Sequence, residues 1–134
     1  MPAHFLATLP NFLDYLGTAI ALLAIFMAIY LYVTPYEEIA LIRRNNMAAA
    51  ISLSGAVLGF ALPIANVIAH SDTLLDLAVW GVIAGLVQLL AWGVARVALP
   101  QLQEDIGAGR VAPSILVAAL SITVGLLNAA CMTY

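Results

Sequence analysis

Apolar residues fill four long stretches of the chain, and shorter polar segments separate them. The stretches cover roughly residues 15–33, 48–68, 77–99 and 113–132. At a rise of about 1.5 Å per residue, a helix of each length crosses the roughly 30 Å of hydrocarbon in a bilayer. Spanning segments are either helices or closed barrels, and the alternating pattern of barrel strands is not visible here. The pattern therefore predicts an all-α polytopic membrane protein with four helices.

The composition is that of a protein lying almost entirely in the membrane. Of 134 residues, 65% are hydrophobic and 8% are charged, and the mean hydropathy is +1.10. Soluble domains carry about 25% charged residues. The longest connections, near residues 34–47 and 100–112, are too short to bury a core of their own. We therefore expect a single transmembrane domain over residues 1–134, in contact with membrane lipid.

The basic residues indicate an orientation. The chain contains no lysine, and Arg43, Arg44, Arg96 and Arg110 all fall in or beside the first and third connections. Cytoplasmic loops of membrane proteins are enriched in basic residues. We therefore predict that both connections are cytoplasmic and that the N- and C-termini are periplasmic, in a multi-pass protein of the bacterial inner membrane.

Three tyrosines, Tyr30, Tyr32 and Tyr36, lie around the predicted cytoplasmic end of the first helix. Aromatic rings with a polar tip favour the headgroup layer of a bilayer. The pattern predicts that these side chains fix the depth of the first helix.

The two halves of the chain resemble each other. Four pairs of identical residues align when one gap is allowed: Pro35 with Pro100, Ile42 with Ile106, Ala48 with Ala112, and Ile51 with Ile115. The alignment predicts two repeats of two helices each, over about residues 12–68 and 77–134. Because each copy starts and ends on the same side of the membrane, the copies would be parallel and related by an axis along the membrane normal.

Small and polar residues recur at helical spacing on one face of several predicted helices. They include glycines four residues apart and three amides: Gly55, Gly59 and Asn66 on the second helix, Gly81, Gly85 and Gln88 on the third, and Asn128 on the fourth. Helices associate in lipid through close backbone approach and interhelical hydrogen bonds. We therefore predict that these faces are helix–helix interfaces and that the neighbouring Leu89 faces lipid.

Gln88 is predicted to lie near the middle of the bilayer. An unpaired amide there costs about 2–7 kcal/mol, so Gln88 needs a partner on another helix or a water molecule. One interpretation is a structural hydrogen bond. The other is that Gln88, with Asn66 and Asn128 nearer the outer face, lines a polar pathway for a small solute.

Charged residues of both signs occur in the two predicted cytoplasmic connections. They are Glu37, Glu38, Arg43 and Arg44 in the first, and Glu104, Asp105 and Arg110 in the second. One hypothesis is a charge network between the connections or a docking patch for another protein. The alternative is a set of solvated charges, each pair contributing about 0–1 kcal/mol.

The sequence lacks the residues that most membrane enzymes and proton-coupled exporters need. No charged residue lies deep in a predicted span, and we find no nucleotide-binding loop, haem motif, zinc-ligand spacing or nucleophile with its base. We therefore expect no catalytic activity, cofactor, metal site or nucleic-acid partner.

Two classes of function remain open. The favoured one is a scaffold or partner subunit of a membrane-associated complex, and the alternative is an oligomeric channel or carrier for a small solute or ion. Four short helices bury few side chains, so we also expect a homo-oligomer.

Several segments resemble a known family. They are TPYEE at residues 34–38, NNMAAAI at 45–51, SGAVLG at 54–59, QLL at 88–90 and NAACMT at 128–133. Together they resemble the domain of unknown function 350 family, the YjfL-like inner membrane proteins of uncharacterised protein family 0719. The resemblance implies a four-helix inner-membrane protein built of paired two-helix units, with no established activity or catalytic residues. A glycine often precedes the loop asparagine in that family, whereas this chain has Asn45, a residue type that tolerates positive φ.

Overall fold

The computed structural model describes residues 2–34, 37–70 and 73–132, with the backbone alone at residues 2–5. Within these ranges the chain forms six helices, named here in chain order: α1 Pro2–Val33, α2 Glu38–Arg43, α3 Met47–His70, α4 Leu74–Ala98, α5 Leu102–Gly107 and α6 Val111–Cys131. The described residues include no β-strand. The prediction of an all-α chain with four membrane-length helices is confirmed, and these helices are α1, α3, α4 and α6.

Helix α1 is longer than the apolar pattern predicts. The pattern placed its start near residue 15, but the helix begins at Pro2 and contains Pro10. Leucines at positions 6, 9, 13 and 16 are spaced three or four residues apart, so an apolar face continues through this segment. At 32 residues, α1 is about 48 Å long, which exceeds the roughly 30 Å of hydrocarbon that it needs to cross. The start of this helix near residue 15, as the apolar pattern placed it, is therefore wrong.

The two long connections each contain a short helix, which the sequence pattern did not predict. Helices α2 and α5 begin at residues 38 and 102 and end at residues 43 and 107, so 64 residues separate each pair of bounds. The same separation relates the starts of α3 and α6, at residues 47 and 111. The internal repeat stays a prediction, and this constant offset supports it.

Both short helices end in the same backbone turn. Asn45 and Gly109 have φ values of 65° and 80°, the left-handed region that favours asparagine and glycine. The next N–H, of Asn46 or Arg110, donates to the carbonyl five residues earlier, at 2.9 Å and 2.8 Å respectively. This is the Schellman arrangement, which satisfies carbonyls left open at a helix end. An asparagine at position 45 therefore meets the same backbone requirement as a glycine.

Helices α3 and α6 make the most extensive interhelical contact of the bundle. A Cβ added at Gly55 would overlap the backbone of Ala118, and one added at Gly59 would overlap the carbonyl of Ser121. The contacting positions advance together along both helices, so α3 and α6 run parallel. Because glycine has no Cβ, the backbones of α3 and α6 can approach closely at these two positions.

Helix α4 runs antiparallel to α3. A Cβ added at Gly81 would lie 3.3 Å from a side-chain carbon of Ile64, and one at Gly85 would lie 3.6 Å from the Phe60 ring. Contacting positions therefore move toward the start of α3 as they move toward the end of α4. Of these two glycines, Gly81 is tightly packed, mainly against Leu22 of α1, whereas Gly85 has the space of an ordinary contact.

Helix α1 lies at the edge of the bundle. Its Phe26 ring stacks on Phe60 of α3, with centroids 4.4 Å apart and planes 3° apart. Of the most apolar part of α1, 11% is buried, compared with 56% for α3. Helix α3 is therefore the central element, and most of α1 faces outward.

The tyrosine prediction is wrong for one residue. Tyr30 is fully buried and packs beside Phe26, with ring centroids 5.9 Å apart. Its spacing of four residues from Phe26 places both rings on the α1 face that contacts the bundle. Tyr32 is exposed, as an interfacial anchor requires, and Tyr36 lies outside the described residues.

Candidate functional site

Gln88 lies near the middle of α4 and is 2% exposed. Its Nε2 donates a hydrogen bond of 3.0 Å to the backbone carbonyl of Ser121 on α6. Because a carbonyl can only accept, this contact determines which end of the amide carries the nitrogen. A Cβ added at Gly59 would come within 2.9 Å of that nitrogen, so the glycine leaves the space that the amide occupies. The structure gives Gln88 the interhelical hydrogen bond that the first interpretation requires.

Several buried polar atoms in the same bundle make no hydrogen bond to any described residue. They are Gln88 Oε1 and Trp92 Nε1 on α4, Ser52 Oγ on α3, and Asn128 Nδ2 on α6. Most buried polar groups in proteins are hydrogen-bonded, so atoms of this kind mark places where a further group is needed. Relative to the contact between Gln88 and Gly59, Trp92 and Ser52 lie in the same direction along the bundle, toward the end of α4 and the start of α3.

Asn66 joins the ends of two helices. From the last part of α3, its Nδ2 donates to the carbonyl of Ala129 at 2.9 Å and to that of Met132 at 3.4 Å. The last four carbonyls of a helix have no partner within the helix, so Asn66 caps the end of α6. Asn66 is therefore engaged in a structural contact, as Gln88 is through its nitrogen. Asn128 is half-buried, and the described contacts do not link it to either residue.

Four cavities along the helices are lined by apolar side chains and glycine. One of about 120 Å³ lies between α1 and α4 beside Phe60, and one of about 200 Å³ lies between α1 and α3 beside Ile64. Two others lie along α4 and between α3 and α6. None of these four cavities is lined by Gln88, Asn66 or Asn128, so they do not join the three amides into one pathway.

The predicted lipid-facing role of Leu89 is wrong. Leu89 is half-buried and packs against the buried cluster that includes Phe60 and Trp92. The next residue, Leu90, is 70% exposed and faces outward. A helix advances about 100° per residue, so Leu89 lies beside Gln88 at the edge of the buried face, and Leu90 lies beyond it.

One end of the bundle carries all four arginines, and we call it the arginine end. The connections that contain α2 and α5 meet there, because Asn46 Nδ2 donates to the carbonyl of Ile106 at 2.9 Å. The Oδ1 atom of Asn46 accepts from the N–H of Ala49 at 3.0 Å, which is the N-cap interaction of α3. Asn46 therefore begins α3 and binds α5 at the same time.

The charge network between the two connections stays a prediction, and the ion pair that the structure shows at the arginine end is local. Arg110 pairs with Asp105 at 2.8 Å, within a single connection. Glu38 is fully buried in the first turn of α2, which packs on α3. It is therefore unavailable to an external partner, and its assignment to a docking patch is wrong. The exposed charges that remain are Glu37, Arg43, Arg44, Glu104 and Arg110.

Arg96, in the last turn of α4, is also exposed. Its guanidinium lies 5.5 Å from the centre of the Trp92 ring, within cation–π distance. The aliphatic stem can run along the helix while the charge reaches the bilayer surface.

Among the described residues, no group of three or more His, Cys, Asp or Glu side chains is arranged to hold a metal ion.

Comparison with known proteins identifies a family that the chain matches. The model for the Domain of Unknown Function (DUF350) matches residues 4–132. The chain belongs to this family. The resemblance seen in the sequence is confirmed, and this DUF350 protein is an integral membrane protein. No solved structure matches it.

Two curated relatives show how far the similarity extends. The DUF350 protein is 34% identical over 131 residues to the UPF0719 inner membrane protein YjfL of Escherichia coli strain K12, a match that covers 98% of this chain and 99% of the relative. It is 26% identical over 91 residues to the UPF0719 transmembrane protein YshE of Bacillus subtilis strain 168, covering 68% of each chain.

The structure brings forward three polar residues of this DUF350 protein that were not among the predicted site residues. Asn46 carries a signal, since an asparagine directly before an apolar run is typical of a helix N-cap. Trp92 shares a face with Gln88 at a spacing of four residues, but the sequence does not indicate that its indole N–H lacks a partner. Ser52 could be assigned to an interface, yet its lack of a partner depends on packing.

Proposed function

We propose that the protein is a non-catalytic scaffold or partner subunit of a membrane-associated complex in the bacterial inner membrane. Its arginine end faces the cytoplasm and both termini face the periplasm. In this proposal, a transmembrane helix of the partner packs against α1. Inner-membrane location is supported by the name of the relative YjfL, and the orientation is supported by the four arginines at one end.

The observation that carries the proposal is the loose attachment of α1. Side chains such as Leu13, Ile20 and Ile25 are more than half exposed along its length, and its buried share is the smallest of the four spans. Interhelical contact in lipid depends on packing and polar bonds rather than on exclusion of water. An edge helix with few such contacts within its own chain retains a face for a helix of another chain.

The polar residues of the bundle support the same proposal. Gln88 and Asn66 use their amide nitrogens to hold α6, and the four described cavities are apolar. A solute pathway needs polar groups that line an open passage, whereas these groups bond to backbone carbonyls inside the bundle. The second candidate, an oligomeric channel or carrier, is favoured by the buried and unpaired Oε1 of Gln88 and Nδ2 of Asn128.

Position-specific photo-crosslinking in native membranes tests the scaffold proposal. A photo-reactive residue at Ile20 or Ile25 of α1 should give one discrete adduct. The control positions Leu90 on α4 and Leu127 on α6, which are at least as exposed, should not. The same adduct should form when the crosslinked partner is purified and mixed with the purified protein. Equal yields at all four positions, or an adduct with lipid alone at Ile20 and Ile25, would contradict the proposal. An adduct with a second copy of the chain would make α1 a homo-oligomer contact instead.

A flux assay separates the two candidate functions. Purified protein in liposomes should show no solute flux above empty vesicles if it is a scaffold. Flux that is lost in folded Gln88→Leu protein and retained in Leu90→Ile protein would favour the channel or carrier.

Reporter fusions test the orientation. Fusions at residues 45 and 107 should report the cytoplasm, and fusions at residue 71 and the C-terminus should report the periplasm. A cytoplasmic C-terminus would overturn the assignment of the arginine end.

The exposed charges of the arginine end offer a place for a soluble segment of the same partner. Reversing Glu37 and Glu104, which are both exposed, should weaken the α1 adduct if that segment docks there. An unchanged adduct with unchanged stability would identify these residues as solvated charges.

A further inference from the structure

Three polar atoms lie unpaired in one region of the membrane-spanning core. Ser52, Gln88 and Trp92 are 0%, 2% and 7% exposed, and Ser52 Oγ, Gln88 Oε1 and Trp92 Nε1 bond to no described residue. They differ in chemistry, since an amide oxygen accepts, an indole N–H donates and a hydroxyl does both. A single small molecule that both donates and accepts can therefore satisfy all three.

The two atoms on α4 are suitably placed for one bridging molecule. Gln88 and Trp92 are four residues apart, so their Cβ atoms are neighbours on one face, about 5–6 Å apart. Side chains on a helix lean toward its N-terminus, which directs the Trp92 ring toward the turn that holds Gln88. The bond from Gln88 Nε2 to Ser121 fixes Oε1 as the free end of the amide. A water molecule between the two residues would accept from Trp92 and donate to Gln88.

The register of α3 against α4 brings Ser52 to the same region. Gly81 lies beside Ile64, Gly85 beside Phe60, and the Gln88 amide beside Gly59. Continuing this antiparallel register by one turn puts Trp92 opposite the α3 segment 52–56. The buried cluster that contains Trp92 also includes Leu53 and Ala56 of this segment.

We propose that this core holds a buried water molecule between Gln88 Oε1 and Trp92 Nε1, with Ser52 Oγ as its third ligand. Three hydrogen bonds are typical of buried structural water. The only charged side chain of the adjoining turn, Arg96, is exposed, so the site suits a small neutral molecule rather than an ion. The inference is independent of the scaffold proposal.

Water-edited solid-state NMR on ¹⁵N-tryptophan-labelled protein in lipid bilayers tests the site. The chain has two tryptophans, and Trp92→Phe assigns their indole signals. Magnetisation should pass from water to the Trp92 indole N–H although this nitrogen is buried. No transfer to this group in the wild-type protein would overturn the proposal.

Two variants locate the water. Gln88→Leu should reduce the transfer at Trp92 at least threefold, and Leu90→Ile, on the exposed side of the same helix, should leave it unchanged. If Gln88→Leu does not fold, Ser52→Ala provides the test, because removal of the third ligand should also reduce the transfer. Unchanged transfer in every folded variant would place the water elsewhere and refute the assigned ligands.

Discussion

Substitution of Gly59 by alanine should separate the two central helices. A Cβ at this position would overlap the carbonyl of Ser121 and press on the Nε2 atom of Gln88. The carbonyl is backbone and cannot move to another rotamer, so α3 and α6 must shift apart. The shift also lengthens the Gln88–Ser121 hydrogen bond, now 3.0 Å, because the amide lies in the same crossing.

The size of the effect follows from three contributions. Overpacking of a well-packed core costs about 1–3 kcal/mol. Loss of an interhelical hydrogen bond in a membrane protein costs about 0.6–1.7 kcal/mol. Alanine in a helix is favoured over glycine by about 0.5–1 kcal/mol, which offsets part of the loss. We expect Gly59→Ala to lower the free energy of unfolding by about 1–4 kcal/mol.

The matched control is Gly93→Ala on α4, where an added Cβ meets nothing within 4 Å. This variant should be neutral or more stable by up to about 1 kcal/mol. Reversible unfolding of the purified protein in bicelles, followed by tryptophan fluorescence, gives both values. If Gly59→Ala is as stable as Gly93→Ala, the close approach of α3 and α6 is not a requirement of the fold.

Three further predictions concern the turns, the helix ends and the assembly. Asn45→Val should destabilise the fold by about 1–2 kcal/mol because φ is 65°, while Asn45→Gly should change stability by less than about 0.5 kcal/mol in the same unfolding assay; equal effects would show that this turn is not constrained. Asn66→Leu should cost about 0.5–1.5 kcal/mol and speed hydrogen exchange in the last turn of α6, and unaltered exchange there would contradict its capping role. Native mass spectrometry in mild detergents and in nanodiscs should detect a dimer or larger assembly, and a monomer in all of them would refute the expected homo-oligomer.

Hydrophobic patterning was sufficient for the four spans because a bilayer imposes a minimum length on any helix that crosses it. Helix ends were harder to place. The early start of α1 depends on a leucine spacing that continues through Pro10, and proline ordinarily signals a boundary. Helices α2 and α5 have six residues each, too few for a periodic pattern to be visible.

The candidate site was also predictable only in part. A buried amide such as Gln88 must find a partner, so its interhelical bond could be expected from chemistry alone. The particular atom that Gln88 contacts could not be predicted, because every residue of α6 has a backbone carbonyl that could accept the bond. The burial of Glu38 and Tyr30 was missed for a related reason: residue type predicts exposure of a carboxylate and interfacial placement of a tyrosine, while tertiary packing decides the outcome.

Three amide side chains hold the bundle at three depths. Asn46 bonds to the carbonyl of Ile106 at the arginine end, Gln88 to that of Ser121 in the middle, and Asn66 to that of Ala129 at the far end. Asn46 and Asn66 are 20 residues apart, which is about 30 Å along the helices and matches the hydrocarbon thickness. Each bond joins a side chain to a carbonyl of α6 or of the short helix before it. Sliding α6 by one residue would misalign the Gln88 and Asn66 bonds together. The small residues therefore set how close α3 and α6 come, while Gln88 of α4 and Asn66 of α3 hold α6 at one depth.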